Sequence, residues 1–147
     1  MKKARLNLCS MLGAAVVISL TVAGCSTQVK SLPLQPVVAS PPAGSTVAIY
    51  FGAQPHPAVA RQLGDASHSV RIARSTDGAE ASCNKALADA LDKLRADAQG
   101  KGANAVINVT TRFHSTQSDS ATDYTCGVSS SAAAIAVRGE LVVLQSN

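Results

Sequence analysis

Aromatic residues are almost absent from this chain, which holds no tryptophan, two tyrosines and two phenylalanines among its 147 residues. Proteins that bind single-stranded nucleic acid stack bases on several aromatic side chains, so this composition excludes that class. Only one apolar run approaches the length of a transmembrane helix, which excludes a membrane protein with several spans. The length allows one folded domain with short extensions and leaves no room for two large catalytic domains.

Motifs of the common catalytic centres are also missing. The sequence has no GxxxxGK[ST] loop to bind nucleotide phosphates and no CxxC pair for a zinc module. The serine run 129–131 lacks the G-x-S-x-G turn of a hydrolase nucleophile, and no paired carboxylates stand out for acid–base catalysis. The histidines, at positions 56, 68 and 114, do not have the spacing of metal ligands. We therefore predict a protein that is not an enzyme and that has no cofactor, no metal site and no bound nucleotide.

The positive net charge is concentrated in the first residues of the chain. The formal net charge is +4, and Lys2, Lys3 and Arg5 stand directly before a long apolar stretch. Without these three residues, the remaining basic side chains outnumber the acidic ones by one. A nucleic-acid-binding domain needs a basic patch on its folded part, so we predict no nucleic acid partner.

Residues 1–24 have the three parts of a lipoprotein signal peptide. A basic start and an apolar run lead to Val22-Ala23-Gly24-Cys25, which resembles the lipobox of bacterial lipoproteins. We predict cleavage before Cys25 and lipidation of its thiol by diacylglyceryl and palmitate, which anchors the chain in a membrane. An uncleaved transmembrane anchor is the alternative, although polar residues dilute the apolar run. Because Ser26 and not aspartate follows the cysteine, lipoprotein sorting favours the inner face of the outer membrane, facing the periplasm.

Proline is concentrated between residues 25 and 45, which hold four of the six prolines, at positions 33, 36, 41 and 42. Proline fixes φ and favours extended geometry in the residue before it. The stretch is therefore predicted to be an extended or disordered membrane tether that contributes nothing to the core. At ~3.1 Å per residue, such a tether holds the domain on the order of 50 Å from the membrane.

Residues 46–147 are predicted to form a single α+β domain. The clearest element is an amphipathic helix at about 80–100, with Asp77 as N-cap, Ser82 as the alternative cap, and Gly102 in the left-handed position after its end. Its apolar residues, at spacings of three and four, form one stripe that packs on a sheet. The stripe consists of Cys83, Leu87, Leu91, Leu94 and Ala98.

β-rich runs before and after this helix predict a small, mainly antiparallel sheet on which the helix packs. In the run after the helix, alternation places Ala105, Ile107 and Val109 on one face. The last run is interrupted by Arg138-Gly139, where we predict a bulge or turn. The predicted strands span 46–51, 69–73, 103–112, 124–128 and 132–144, with a polar loop over 115–123.

The cysteine count predicts one disulfide. Cleavage removes Cys9 and lipid occupies Cys25, which leaves Cys83 and Cys126. In an oxidising periplasm, two remaining cysteines in one small domain usually pair. Cys83 lies on the apolar stripe of the helix, and Cys126 lies on the strand expected beneath it. A metal-binding or redox pair is the alternative, which no CxxC spacing supports.

Several segments together resemble known families. They are His56-Pro57-Ala58-Val59, Cys83 at the start of a helix, Gly102-Ala103-Asn104-Ala105-Val106-Ile107-Asn108, Tyr124-Thr125-Cys126-Gly127 and a final apolar strand with Gly139. The pattern is similar to a group of small proteobacterial lipoproteins whose members often carry the name "excinuclease ATPase subunit" or "signal peptide protein". It more distantly resembles the Rcs envelope-stress sensor lipoproteins of the F type and the YbjQ-like fold of proposed heavy-metal-binding proteins.

These resemblances imply a lipid-anchored protein of the cell envelope that acts as a binding or stress-sensing module. An ATPase does not fit, because the phosphate-binding loop is missing. The Rcs sensors have two disulfides, whereas this chain has cysteines for one. A structural lipoprotein that self-associates through an exposed sheet edge is the alternative function, and heavy-metal binding is a third. The expected partners are the membrane, through the lipid on Cys25, and either an envelope protein or a second copy of the chain.

Overall fold

The structure, a computed structural model of the chain, describes residues 26–39, 42–74 and 76–146. These residues form a seven-stranded, mostly antiparallel sheet with one long helix, which confirms the predicted α+β class. The signal peptide and Cys25 lie outside the described residues. No helix within the described ranges is long and apolar enough to cross a membrane. In chain order the elements are β1 (Gln28–Pro33), α1 (Gln35–Val38), β2 (Ala48–Phe51), β3 (Val59–Ala73), α2 (Ala79–Gly100), β4 (Ala105–Phe113), β5 (Thr116–Ser118), β6 (Asp123–Val128) and β7 (Ala132–Leu144).

Strand β7 is the centre of the sheet. It pairs with β3 along its whole length on one side, and on the other side with β6 near its start and with β4 further along. Strand β1 extends the sheet beyond β6, and β5 forms a short hairpin with β4. All of these pairs are antiparallel, and β2 joins β4 in a parallel pair. The small and β-branched residues of β7 suit a strand with a neighbour on both sides.

Helix α2 covers one face of the sheet, called here the inner face. The predicted stripe is confirmed, because all five of its side chains are at most 1% exposed. They pack on alternate residues of β7, namely Ile135, Val137 and Leu141, and on Val70 of β3. The opposite, outer face has a small separate cluster where β4 and β7 meet, formed by Ala105, Ile107, Val142 and Leu144.

The prediction of a tether over residues 25–45 is wrong for residues 28–38, which belong to the folded domain. Strand β1 pairs with β6, and Leu34, 2% exposed, lies in the core. Both prolines in this segment occupy positions that tolerate them. Pro33 is the last residue of an edge strand, and Pro36 lies in the first turn of α1. Proline content alone therefore did not indicate a spacer.

The ends of α2 differ partly from prediction. Its C-terminal glycine is confirmed, since Gly102 has φ of 73°. The N-cap is Gly78 and not Asp77, and no side chain caps the first turn. The carboxylate of Asp77 instead forms an ion pair with Lys85, in the second turn of the helix.

A bulge in β4 changes which residues face the core. Asn108 has φ of 50°, and the register with β7 shifts between Ile107 and Thr110. Val109 consequently lies on the inner face with Val106, so its predicted position beside Ile107 is wrong. The break predicted at Arg138-Gly139 is also wrong, because β7 is continuous there and the irregularity lies in β4.

Candidate functional site

Cys83 and Cys126 form a disulfide, as predicted. Both residues are fully buried, their Cα atoms are 6.0 Å apart, and the bond joins the start of α2 to β6. Sulfurs joined in this way do not act as thiolate ligands for a metal ion. Within the part of the chain that the structure describes, no three His, Cys, Asp or Glu residues come together as a metal site.

The three histidines lie in different parts of the fold. His68 on β3 bonds through Nε2 to Oδ2 of Asp97 on α2, at 2.7 Å, and this pair was not predicted. His56 lies beside the carbonyl of Pro57, with Nδ1 2.8 Å from that oxygen. His114 lies in the turn between β4 and β5 and is exposed. The histidines therefore do not converge on one site.

Tyr124 and the serine run have structural surroundings. The buried Tyr124 hydroxyl donates a hydrogen bond of 2.5 Å to Oδ1 of Asn84 on α2. Burial, assisted by the negative charge of Glu80, raises the pKa of Tyr124 well above its ordinary value, so the hydroxyl stays protonated. Ser129 Oγ accepts hydrogen bonds from the backbone N–H groups of Ser131 and Ala132, which shapes the turn between β6 and β7.

A shallow trough crosses the outer face of β3, β7 and β4, and we call it the outer trough. Its floor is flat because small residues meet there. Ser69 of β3 lies opposite Ala136 of β7, which in turn lies opposite Arg112 of β4. Arg71 lies opposite Ala134, one step nearer the end of β3. Extended strands place these cross-strand partners on the same face, so the alanines leave space between the longer side chains.

Two adjoining clefts make up the outer trough. The first has a volume of about 350 Å³ and is bounded on one side by Phe113, whose ring lies over Gly127. The second, of about 390 Å³, shares Ser69, Ala136 and Arg112 with the first and extends along β7 to Arg138. A Cβ on residue 127 would overlap the Phe113 ring, so glycine is required beneath this wall.

The charged side chains of the outer trough differ in whether they have an ion-pair partner. Arg138 forms an ion pair with Asp65, with 2.7 Å between Nη2 and Oδ2. The Arg71 guanidinium has no hydrogen-bonding or ion-pair partner among the described residues. The Arg112 guanidinium makes only a 3.4 Å contact with the carbonyl of His114. Both arginines are exposed. Guanidinium groups bind carboxylates and phosphates in a bidentate manner, so this end of the trough suits an anionic group.

No protein-family model, no curated protein and no solved structure matches this chain. The trough was not predicted from the sequence, because its residues come from three strands that are far apart along the chain. One signal was present, namely the alternation of small or polar residues with apolar ones in Ser67-His68-Ser69-Val70-Arg71. That alternation indicates a strand with one face open to solvent.

Proposed function

We propose that this chain is a lipid-anchored envelope protein that binds a partner through the outer trough and catalyses no reaction. The observation that supports this proposal is the pair Arg71 and Arg112, both without a carboxylate partner among the described residues, above a floor of small side chains. An uncovered sheet face of this kind is typical of binding surfaces. The anchor is the lipid predicted on Cys25, at the periplasmic face of the outer membrane.

The chemistry of the trough favours an extended protein segment that carries aspartate or glutamate. Ala134, Ala136 and Ser69 allow a partner backbone to lie close to the sheet, and the guanidinium groups donate hydrogen bonds to its carboxylates. Catalysis finds less support. His114 borders the first cleft, and among the described residues no carboxylate or cysteine lines that cleft beside it.

Site-specific photo-crosslinking in cells tests this function. A photoreactive amino acid at Ser69 samples the trough, and the same amino acid at Lys93, on the exposed side of α2, is the position control. We expect Ser69 to give a discrete adduct with one envelope protein and Lys93 to give none. Arg112→Gln should reduce the adduct on the order of tenfold, since a charge-assisted hydrogen bond contributes about 1.5–3 kcal/mol.

Arg61→Gln is the matched control, because Arg61 is an exposed arginine of β3 outside the trough. It removes the same charge and should leave the adduct unchanged. An adduct that is equally strong in Arg112→Gln and in Arg61→Gln would contradict binding through the trough.

Self-association is a second candidate, favoured by the edge of β3. This strand has 15 residues and, among the described elements, pairs only with β7. Antiparallel pairing of two β3 strands centred on His68 places Asp65 of one copy opposite Arg71 of the other. We expect Arg71→Glu to weaken such a dimer and Asp65→Arg added to it to restore the dimer, as measured by analytical ultracentrifugation. A chain that sediments as a monomer at every concentration excludes this candidate.

A further inference from the structure

The folded domain begins very close to the residue that is predicted to carry the lipid. Strand β1 starts at Gln28, three residues after Cys25. Three residues of fully extended chain span at most about 11 Å. We infer that the domain lies directly against an anionic lipid surface. The end of the sheet at which β1 begins makes this contact. This inference rests on the lipid anchor of the proposed function.

The strand register defines which residues share that end. Val29 of β1 lies opposite Gly127 of β6, Gly127 lies opposite Ala134 of β7, and Ala134 lies opposite Arg71 of β3. The start of β1 is therefore level with the end of β3 and with the turn between β6 and β7. Arg74, directly after β3, donates from Nη1 to the carbonyl of Ser129 in that turn. We call this surface, residues 28–30, 71–74, 76–77 and 128–132, the anchor end.

The anchor end is basic although the domain as a whole is nearly neutral. Lys30, Arg71 and Arg74 form no ion pair with a carboxylate among the described residues. Arg74 contacts only backbone carbonyls, those of Asp77 and Ser129. The Asp77 carboxylate is neutralised by Lys85. Basic side chains close to an anionic leaflet are attracted to it within a Debye length of the lipid phosphates.

Acidic residues collect at the opposite end of the sheet. Asp123 lies opposite Pro33, the last residue of β1, and Asp119 lies in the loop before it. Asp65 and Glu140 lie opposite each other near the middle of β3 and β7, where Asp65 is paired with Arg138. The unpaired basic side chains of the anchor end therefore face away from Asp119 and Asp123, and an anionic surface attracts the anchor end more strongly than the opposite end of β1 and β6.

An exposed apolar side chain lies in the same place. Val29 is the large hydrophobic residue that is most exposed among the described residues, at 47%. In water this exposure is unfavourable, whereas beside a bilayer the isopropyl group enters the region between headgroups and acyl chains. Basic residues next to an apolar one are typical of surfaces that lie on membranes. The basic side chains, the exposed side chain of Val29 and the sequence position of Cys25 thus indicate the same surface.

Lipid photo-crosslinking tests this orientation. The full lipidated protein is reconstituted into vesicles of phosphatidylcholine with phosphatidylglycerol that contain a photoreactive headgroup, and the labelled peptides are mapped by mass spectrometry. We expect labels at residues 28–30, 71–74, 76–77 and 128–132 and none at 119–123. Labels spread over both ends, or concentrated at 119–123, would overturn the inference whatever the variants do.

Charge variants refine the test without touching the trough. Lys30→Gln combined with Arg74→Gln should reduce labelling of the anchor end on the order of tenfold. The control variant, Arg61→Gln combined with Lys101→Gln, removes the same charge elsewhere and should leave this labelling unchanged. Circular dichroism verifies that each variant is folded, and Lys30→Gln alone serves where Arg74 proves necessary for folding. Equal labelling in both pairs of variants would contradict attraction by charge.

Flotation distinguishes this inference from the function on which it rests. Protein that fails to float with the vesicles lacks the lipid anchor, which refutes the anchor and this orientation together. Protein that floats but is labelled away from the anchor end refutes the orientation alone. Neither result changes the crosslink expected from Ser69 in the trough.

Discussion

The bond between Cys83 and Cys126 joins α2 to β6, whereas the apolar stripe of the helix packs mainly on β3 and β7. It closes a loop with a sequence separation of 43 residues. A cross-link of this kind restricts the unfolded chain, and its removal from a small domain typically costs ~2–5 kcal/mol. The bond matters here because a core with few aromatic residues buries less apolar area.

We expect Cys83→Ala and Cys126→Ala to lower the melting temperature by similar amounts. The double variant should be no less stable than either single variant, because both substitutions remove the same bond. Thermal unfolding without reductant measures this, and peptide mapping verifies the bond in the unmodified protein. Losses that simply add in the double variant would indicate two independent contributions and contradict this expectation.

Individual residues were predictable where a local pattern determines them. The stripe of α2 and Gly102 follow from helix periodicity and from the φ of a helix end, and the structure confirms both. Asp77 was not predictable, because the choice between capping the helix and pairing with Lys85 depends on a side chain eight residues away. The His68–Asp97 bond joins β3 to α2 and has no local signal at all.

Strand β1 adds an edge strand to the sheet, and helix α1 follows it. The proline-rich composition of this segment did not indicate either element. The buried side chain that fixes this segment is Leu34, whose backbone N–H also donates to the carbonyl of Thr122. Removal of a buried leucine side chain leaves a cavity and typically costs ~2–5 kcal/mol.

Leu34→Ala should therefore destabilise the domain by ~2–5 kcal/mol in chemical denaturation. Val29→Ala, in strand β1 of the same segment, should have little effect, since Val29 is 47% exposed. If residues 28–38 were an unstructured spacer, the two substitutions would be equally harmless.

The bulge in β4 explains why alternation failed after Ile107. Asn108, with φ of 50°, occupies an extra position, so every later residue of β4 changes face. Gly139 lies at the same level of β7, where a Cβ would overlap Val106. The sequence shows the glycine, but which of two paired strands bends around it depends on their pairing.

The membrane attachment that we propose concerns the whole molecule and would depend on Cys25. Cys25→Ala should abolish palmitate labelling and release the protein from the membrane fraction, because no other thiol is in position to accept the lipid. The measurement is metabolic labelling with palmitate followed by fractionation. Cys83→Ala is the control and should keep its label. Label that persists in Cys25→Ala would refute lipidation at this residue.

The fold class was predictable because one amphipathic helix between β-rich runs allows few architectures. Strand order was not, since β3 and β4 pair with β7, which follows each of them only after other elements. The outer trough could not be predicted for the same reason. Ser69, Arg112 and Ala136 become neighbours only when the pairing is known, so its residues could not be grouped in advance.

The central position of β7 determines when this protein folds. Every partner of β7 precedes it in the chain, so β3, β4 and β6 lack their common neighbour until residues 132–144 have been synthesised. Synthesis proceeds from the N-terminus, so the sheet cannot be completed early. Its long-range strand pairs require β7, which is made last. Delayed folding would suit the export that we propose for this protein, because an exported chain must stay unfolded while it passes through a secretion channel. Truncation before Ala132 would consequently abolish the sheet rather than trim its edge.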